Sequence, residues 1–164
     1  MQSVLPPEIT ALATRVVEEN RAAGRRIALA ESCTGGLVAA AITEIPGSSA
    51  VLDRSYVTYS NEAKQQCLGV SEDIIEAFGA VSVACVYAMA QGVLDRCDAD
   101  VAVAISGIAG PDGGSAEKPV GTVVFARLVR GQEKPHAEHR VFAETTRAGV
   151  RLQATLCALE LLLP

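Results

Sequence analysis

Hydrophobic positions along the chain change between helical and strand spacing. Residues 6–24 carry apolar side chains every three to four positions, with Pro near the start and Gly at the end, which predicts an amphipathic helix. The runs "RRIALA" and "DVAVAIS" are short and continuously apolar, as is typical of buried strands. "AVLDRSYVTYS" is β-branched and aromatic, and "VGTVVFARLVR" and "HAEHRVFAE" flank the turn "GQEK" as a predicted hairpin.

Helical segments separate these strands. "LVAAAITEI" follows the first strand, "NEAKQQCLG" ends at Gly69, and Ser71 and Ser82 are placed to cap the next two helices. "TTRAGVRLQATLCALELLL" closes the chain as a further helix. The alternation predicts a single domain over residues 1–164, an α/β three-layer sandwich. Its sheet is expected to be mixed, mostly parallel and five-stranded, with helices on both faces.

Composition narrows the possible functions. The chain has 164 residues, 49% of them apolar, which suits one core, and its net charge of −5 without a basic block argues against nucleic-acid binding. The mean hydropathy of +0.28 is high for a monomer and predicts a homo-oligomer. No signal peptide or membrane-spanning stretch is visible, and the five cysteines form no C-x-x-C pair. We therefore expect a cytoplasmic protein without a disulfide framework or zinc site.

The stretch "AESCTGG" is the first candidate for chemistry, because ligands of open α/β sheets bind where strands end and helices begin. Ser32 or Thr34 could cap the following helix, and on pattern alone capping is the more frequent role. Gly35 and Gly36 would leave the first helical amides uncovered, which suits a phosphate or an oxyanion.

A lysine follows at the next junction, in "YSNEAK". Lys64 falls in the first helical turn, where the helix dipole and burial would lower its pKa below the usual value of about 10.4. A neutral lysine can act as the general base for a serine, whereas the alternative is an exposed lysine on a polar helix. His136 and His139 lie in the last strand, away from the junctions, which disfavours a histidine base. No metal-ligand spacing is present.

Two further segments could bind an anion. The glycine-rich loop over residues 107–119 could hold a phosphate or simply connect to the hairpin. Arg147 opens the last helix, where its charge could be balanced either by Glu144 or by a bound anion. A serine, a lysine, uncovered amides and an arginine at neighbouring junctions together indicate a catalytic site.

The motifs "AESCTGG", "VTYSNEAK", "GAVS" and "SGIAGPDGGSAEKPVGTV" resemble those of the CinA carboxy-terminal domain family, and the resemblance covers roughly residues 8–162. Some members carry a nucleotide pyrophosphatase-like domain in front. Too few residues precede "ESCTGG" for such a domain, so the chain is similar to the stand-alone form.

That resemblance implies hydrolysis of the carboxamide of nicotinamide mononucleotide (NMN) to nicotinate mononucleotide and ammonia, in pyridine nucleotide salvage. It implies a Ser/Lys dyad that needs no metal or organic cofactor, with Ser32 as nucleophile, Lys64 as base and Tyr59 orienting the pair. Cys33 would be a small hydrophobic residue. The residues expected to hold the oxyanion or the substrate are Thr34, Gly35, Gly36, Ser106, Gly107 and Arg147.

Two alternatives stay open on the sequence. The domain could be a non-catalytic binding module, since CinA proteins are linked to competence and DNA damage. It could also be an amidase for another amide-bearing nucleotide, because ring specificity depends on the shape of the pocket.

Overall fold

The computed structural model describes residues 3–144 and 146–164. Its helices and strands follow one another in the order α1 (Pro7–Ala22), β1 (Ile27–Glu31), α2 (Leu37–Thr43), a 3-10 turn (Ser48–Ala50), β2 (Leu52–Val57), α3 (Asn61–Leu68), α4 (Glu72–Phe78), α5 (Val83–Leu94), β3 (Val101–Gly107), β4 (Thr122–Val129), β5 (His136–Val141) and α6 (Arg147–Leu161). None of the helices in the described part of the chain combines the length and apolar character needed to cross a membrane.

The five strands form one mixed sheet in the order β2-β1-β3-β4-β5. β1 pairs in parallel with β2 and β3, whereas β4 runs antiparallel to both β3 and β5. Four strands therefore share one direction and β4 alone is reversed. The predicted mixed, mostly parallel five-stranded sheet is confirmed.

A separate apolar core lies on each face of the sheet. Val103 and Ile105 of β3 face the core under α1, α2 and α6, whereas Ala102 and Ala104 face the core under α5. The small alanines leave room for α5 to lie close to the sheet, and α3 and α4 pack against α5 in turn. The predicted three-layer arrangement, with helices on both faces, is confirmed.

The helix ends follow the predicted signals in most places. Ser71 and Ser82 each accept a hydrogen bond from a main-chain amide at the start of α4 and α5. Gly69 ends α3 with φ 69°, the left-handed conformation that glycine adopts without strain. Only α2 begins in an unexpected way, and its first turn belongs to the site described below.

The parallel strands bring their carboxyl ends to one edge of the sheet. Ser32 follows β1, Thr58 follows β2, and Ser106 lies at the end of β3. Because Ser32 N donates to the carbonyl of Ile105 at 3.0 Å, the pairing of β1 with β3 continues past Glu31 and sets Ser32 beside Ser106. The topology thus gathers three polar junctions that are far apart in the sequence.

Candidate active site

A cavity of about 280 Å³ opens at this edge of the sheet. Its walls come from residues 32–33 after β1, residues 59–64 around the start of α3, residues 80–81 before α5, residues 106–113 after β3, and Arg147 at the start of α6. Every segment in which the sequence predicted chemistry contributes to this one cavity.

Ser32 and Lys64 meet at the bottom of the cavity. Lys64 Nζ lies 3.2 Å from Ser32 Oγ, 2.9 Å from the carbonyl oxygen of Thr58 and 3.2 Å from that of Tyr59. A neutral amine has two N–H groups and one lone pair, so the two carbonyls can accept both N–H groups. The lone pair then faces the Ser32 hydroxyl, as a general base requires.

The surroundings of Lys64 favour its neutral form. Its side chain is buried, with 1% exposure, and no carboxylate of the described residues forms a salt bridge with it. Burial lowers the pKa of Lys64 below its ordinary value, because the ammonium ion loses hydration that the amine does not need. The prediction of a desolvated lysine is confirmed, and the alternative of an exposed lysine is wrong.

Cys33 is a poor nucleophile, although it lies next to Ser32. Its side chain belongs to the apolar cluster under α1, α2 and α6. Burial raises the pKa of the Cys33 thiol to about 11, so the thiolate is scarce at neutral pH. The expectation that Cys33 serves as a small hydrophobic residue is confirmed.

A buried carboxylate that the sequence analysis missed holds the turn after β1. Glu31 is fully buried, and its oxygens accept four hydrogen bonds of 2.7–3.2 Å. The donors are Thr34 Oγ1 and the amides of Gly36, Val38 and Ala39. Glu31 therefore caps α2, with its negative charge at the positive end of the helix dipole. The sequence did contain a signal for this role, because an acidic residue ends a strand that is otherwise continuously apolar.

This carboxylate corrects two predictions about the same turn. Neither Ser32 nor Thr34 caps α2, whose N-cap residue is Gly36, with φ 98° and no side chain of its own to cap the helix. Gly36 N is bonded to Glu31, and Gly35 N donates to the carbonyl of Ser32 at 3.0 Å. The prediction that Gly35 and Gly36 offer free amides to an anion is therefore wrong.

Thr34 keeps one group that can still donate. Its hydroxyl is buried against Glu31 and cannot reach a substrate. Its main-chain N–H and that of Cys33 form no hydrogen bond with any residue in 3–144 or 146–164. Of the amides predicted to hold an oxyanion, only that of Thr34 is left without an acceptor among the described residues; the amide of Cys33, a residue that lines the cavity, is in the same position.

Arg151 of α6 contacts the same turn, but it binds main-chain carbonyls where Glu31 binds main-chain amides. Its Nε donates to the carbonyl of Cys33 at 3.1 Å and its Nη2 to that of Thr34 at 3.2 Å. The sequence held no signal for this contact, because 117 positions separate Arg151 from Thr34. Glu31 thus accepts hydrogen bonds from main-chain amides at the start of α2, whereas Arg151 donates hydrogen bonds to the carbonyls of the turn.

Tyr59 and Arg147 meet at the rim of the cavity. Arg147 Nη2 donates to the phenol oxygen of Tyr59 at 2.9 Å, and Nη1 donates to the carbonyl of Gly110 at 2.8 Å. Tyr59 is 59% exposed, and its hydrogen bond with Lys64 is made by its main-chain carbonyl. Arg147 forms no ion pair with Glu144 or any other carboxylate of the described residues, so of the two alternatives for its charge, pairing with Glu144 is wrong.

The other predicted binding residues line the wall. Ser106, with 2% exposure, and Gly107 both border the cavity beside Ser32. Asn61 and Asp112 border it as well, and the sequence analysis did not select them. Among residues 3–144 and 146–164, no group of three or more His, Cys, Asp or Glu side chains is arranged to hold a metal ion.

Comparison with known proteins gives close relatives over nearly the whole chain. The chain is 54% identical over 140 residues to nicotinamide-nucleotide amidohydrolase PncC of Enterobacter agglomerans, covering 85% of this chain and 84% of the relative. It is 51% identical over 156 residues to the protein of the same name from Escherichia coli K12, covering 94% and 93%. A longer putative competence-damage inducible protein of Symbiobacterium thermophilum is 59% identical over 110 residues, covering 67% of this chain and 26% of the relative.

Solved structures also resemble this chain over nearly its whole length. The competence/damage inducible protein CihA of Agrobacterium tumefaciens has a TM-score of 0.94 and 46% identity, covering 98% of this chain and 97% of the other. A CinA superfamily protein of Escherichia coli has a TM-score of 0.89 and 34% identity, covering 99% and 93%. Residues 9–164 match the CinA C-terminal domain. The chain therefore belongs to the CinA C-terminal domain family.

Proposed function

We propose that the protein is a nicotinamide-nucleotide amidase that hydrolyses the carboxamide of NMN to nicotinate mononucleotide and ammonia. The contact of 3.2 Å between Lys64 Nζ and Ser32 Oγ, inside a cavity, carries the proposal. The names of the relatives at 51–54% identity support the substrate class.

In the proposed reaction Ser32 Oγ attacks the amide carbon while Lys64 Nζ accepts its proton. The carbonyl oxygen becomes an oxyanion, for which the amides of Cys33 and Thr34 are the available donors. Lys64 returns the proton to the leaving nitrogen, so the C–N bond breaks and ammonia departs. A water molecule then attacks the acyl-enzyme ester, again with Lys64 as base, and frees both Ser32 and the carboxylate product.

In this proposal, residues of the cavity wall bind the nucleotide. Arg147 has a guanidinium charge without a carboxylate partner among the described residues, which suits the phosphate of NMN. Ser106 and Gly107 border the space beside Ser32, where the amide must lie, and Tyr59 holds Arg147 in place at the rim.

Ammonia release from NMN by the purified chain tests this function. Ser32→Ala should abolish release, whereas Cys33→Ala should keep most of it, because the neighbouring thiol is buried and protonated. A cysteine hydrolase would give the reverse pattern in folded variants. Nicotinamide riboside, nicotinamide and NAD in the same assay identify the substrate, and faster turnover of one of them would replace NMN as the substrate.

We also infer that the protein works as a cytoplasmic homo-oligomer without an organic cofactor. The homo-oligomer is inferred from the mean hydropathy of +0.28, and the cytoplasmic location from the cysteine pattern. A cofactor is unnecessary because serine attack and proton transfer use only groups of this chain.

A further inference from the structure

Arg151 uses its guanidinium to hold main-chain carbonyls, as Arg130 does elsewhere in the fold. The guanidinium is partly buried, and no carboxylate of the described residues forms a salt bridge with it. Its side-chain hydrogen bonds go to two successive main-chain carbonyls, those of Cys33 and Thr34. What distinguishes Arg151 is its location, because the two carbonyls that it binds belong to the turn directly after Ser32.

The covalent geometry of the peptide relates these carbonyls to particular amides. In a trans peptide the C=O and N–H groups point in opposite directions. Since the Cys33 carbonyl points to Arg151, the N–H of Thr34 points away from Arg151. The Thr34 carbonyl likewise points to Arg151, and the N–H of Gly35 points away and donates to the carbonyl of Ser32.

The guanidinium also changes the strength of these amides as donors. A charge-assisted hydrogen bond to a carbonyl withdraws electrons from the peptide, and hydrogen bonds in a chain strengthen one another. The Thr34 N–H becomes a stronger donor with no acceptor among the described residues. The Gly35 N–H becomes a stronger donor to Ser32 itself. Arg151 therefore orients the Thr34 N–H and also strengthens the hydrogen bond from Gly35 N to the carbonyl of Ser32.

We propose that Arg151 is a positioning residue for the reaction at Ser32, because it fixes and polarises the peptide whose Thr34 N–H stabilises the developing oxyanion. This inference rests on the proposed function, in which Ser32 is the nucleophile. Arg151 lies behind the turn and does not line the cavity, so its effect belongs to the transition state and not to substrate binding.

Steady-state kinetics of Arg151→Gln and Arg151→Lys test the inference. Removing an oxyanion donor lowers kcat by about 100- to 1000-fold, so weakening one should lower kcat about 10- to 100-fold. KM should stay within about twofold and the pH limb should not move, because Lys64 is untouched. Arg151→Lys should fall between wild type and Arg151→Gln, because lysine keeps the charge and loses the two-pronged contact.

A matched control separates this effect from the loss of any arginine. Arg21 Nη2 donates to the carbonyl of Gly47 at 2.9 Å on the surface, so Arg21→Gln removes the same kind of contact far from the cavity. It should leave kcat unchanged. Guanidinium chloride at tens of millimolar should restore part of the kcat of Arg151→Ala and should not affect the control. A structural role alone would lower the folded fraction and gain nothing from free guanidinium.

Labelling by a fluorophosphonate measures the same oxyanion contact without NMN. Wild type should be labelled at Ser32, Arg151→Gln about tenfold more slowly, and Ser32→Ala not at all. If Arg151→Gln is labelled slowly and wild type does not hydrolyse NMN, the proposed substrate is wrong, but the proposed role of Arg151 is supported. The inference is wrong if Arg151→Gln keeps wild-type kcat and labelling rate, or if KM rises as far as kcat falls. Should Arg151→Gln fail to fold, wild-type kcat in Arg151→Lys would equally overturn it.

Discussion

Replacement of Glu31 is the sharpest test of how the turn that follows Ser32 is held in place. The carboxylate is fully buried and accepts hydrogen bonds from one hydroxyl and three main-chain amides at the start of α2. Ser55 Oγ lies at 3.4 Å and adds a weaker contact. Glu31→Ala removes the acceptor from four donors at once, while Glu31→Gln keeps one oxygen and places an amide NH₂ at the other.

The expected loss of stability follows from this count. A buried donor left without a partner costs about 1–3 kcal/mol, and bonds to a charged acceptor lie toward the upper end. Four such donors make Glu31→Ala about 4–12 kcal/mol less stable, comparable with the whole stability of a small domain at about 5–15 kcal/mol. In Glu31→Gln the new NH₂ faces the Ala39 amide, donor against donor, for a loss of about 2–3 kcal/mol.

Urea unfolding of wild type and both variants measures these losses. Glu19→Gln is the matched control, since Glu19 forms an i,i+4 surface pair with Arg15 at 3.0 Å and its loss should cost under about 0.5 kcal/mol. kcat of folded Glu31→Gln should fall as well, because the turn that carries Ser32 loosens. Stability of Glu31→Ala within about 1 kcal/mol of wild type would refute the reasoning, since the four donors would then have other partners.

The remaining predictions concern the base, metals and assembly. Because burial lowers the pKa of Lys64 below its ordinary value, kcat/KM should rise with pH through a group titrating below that value, as the amine becomes neutral. Lys64→Arg should be nearly as inactive as Lys64→Ala across that profile, and substantial activity in the arginine variant would remove Lys64 as the base. EDTA should leave NMN hydrolysis unchanged, and an inactivation reversed by a divalent ion would overturn the metal-free mechanism. Light scattering at micromolar concentration should give a mass above 17.0 kDa, and the monomer mass would refute the homo-oligomer.

The hydrophobic pattern and the local signals by themselves determined the architecture. Continuous apolar runs specified the buried strands, and the alternation of strands with helices implied helices on both faces of a mixed sheet. Ser71, Ser82 and Gly69 act through groups two to five residues away, so their roles were readable from short stretches of sequence. The rule that sites lie at strand ends selected the junctions that contain Ser32 and Lys64, whereas their roles as nucleophile and base were implied by the resemblance to the CinA family.

The tertiary structure decided which partners the polar groups of the site take. The pattern at the start of α2 allowed Ser32 or Thr34 to act as its cap, but Glu31 occupies the amides because the fold buries its carboxylate directly beneath them. Arg151 reaches the turn from a helix 117 positions away, and no local pattern encodes such a contact. The lowered pKa of Lys64 also arises mainly from burial, which depends on everything packed around the lysine and not on its place in one helix.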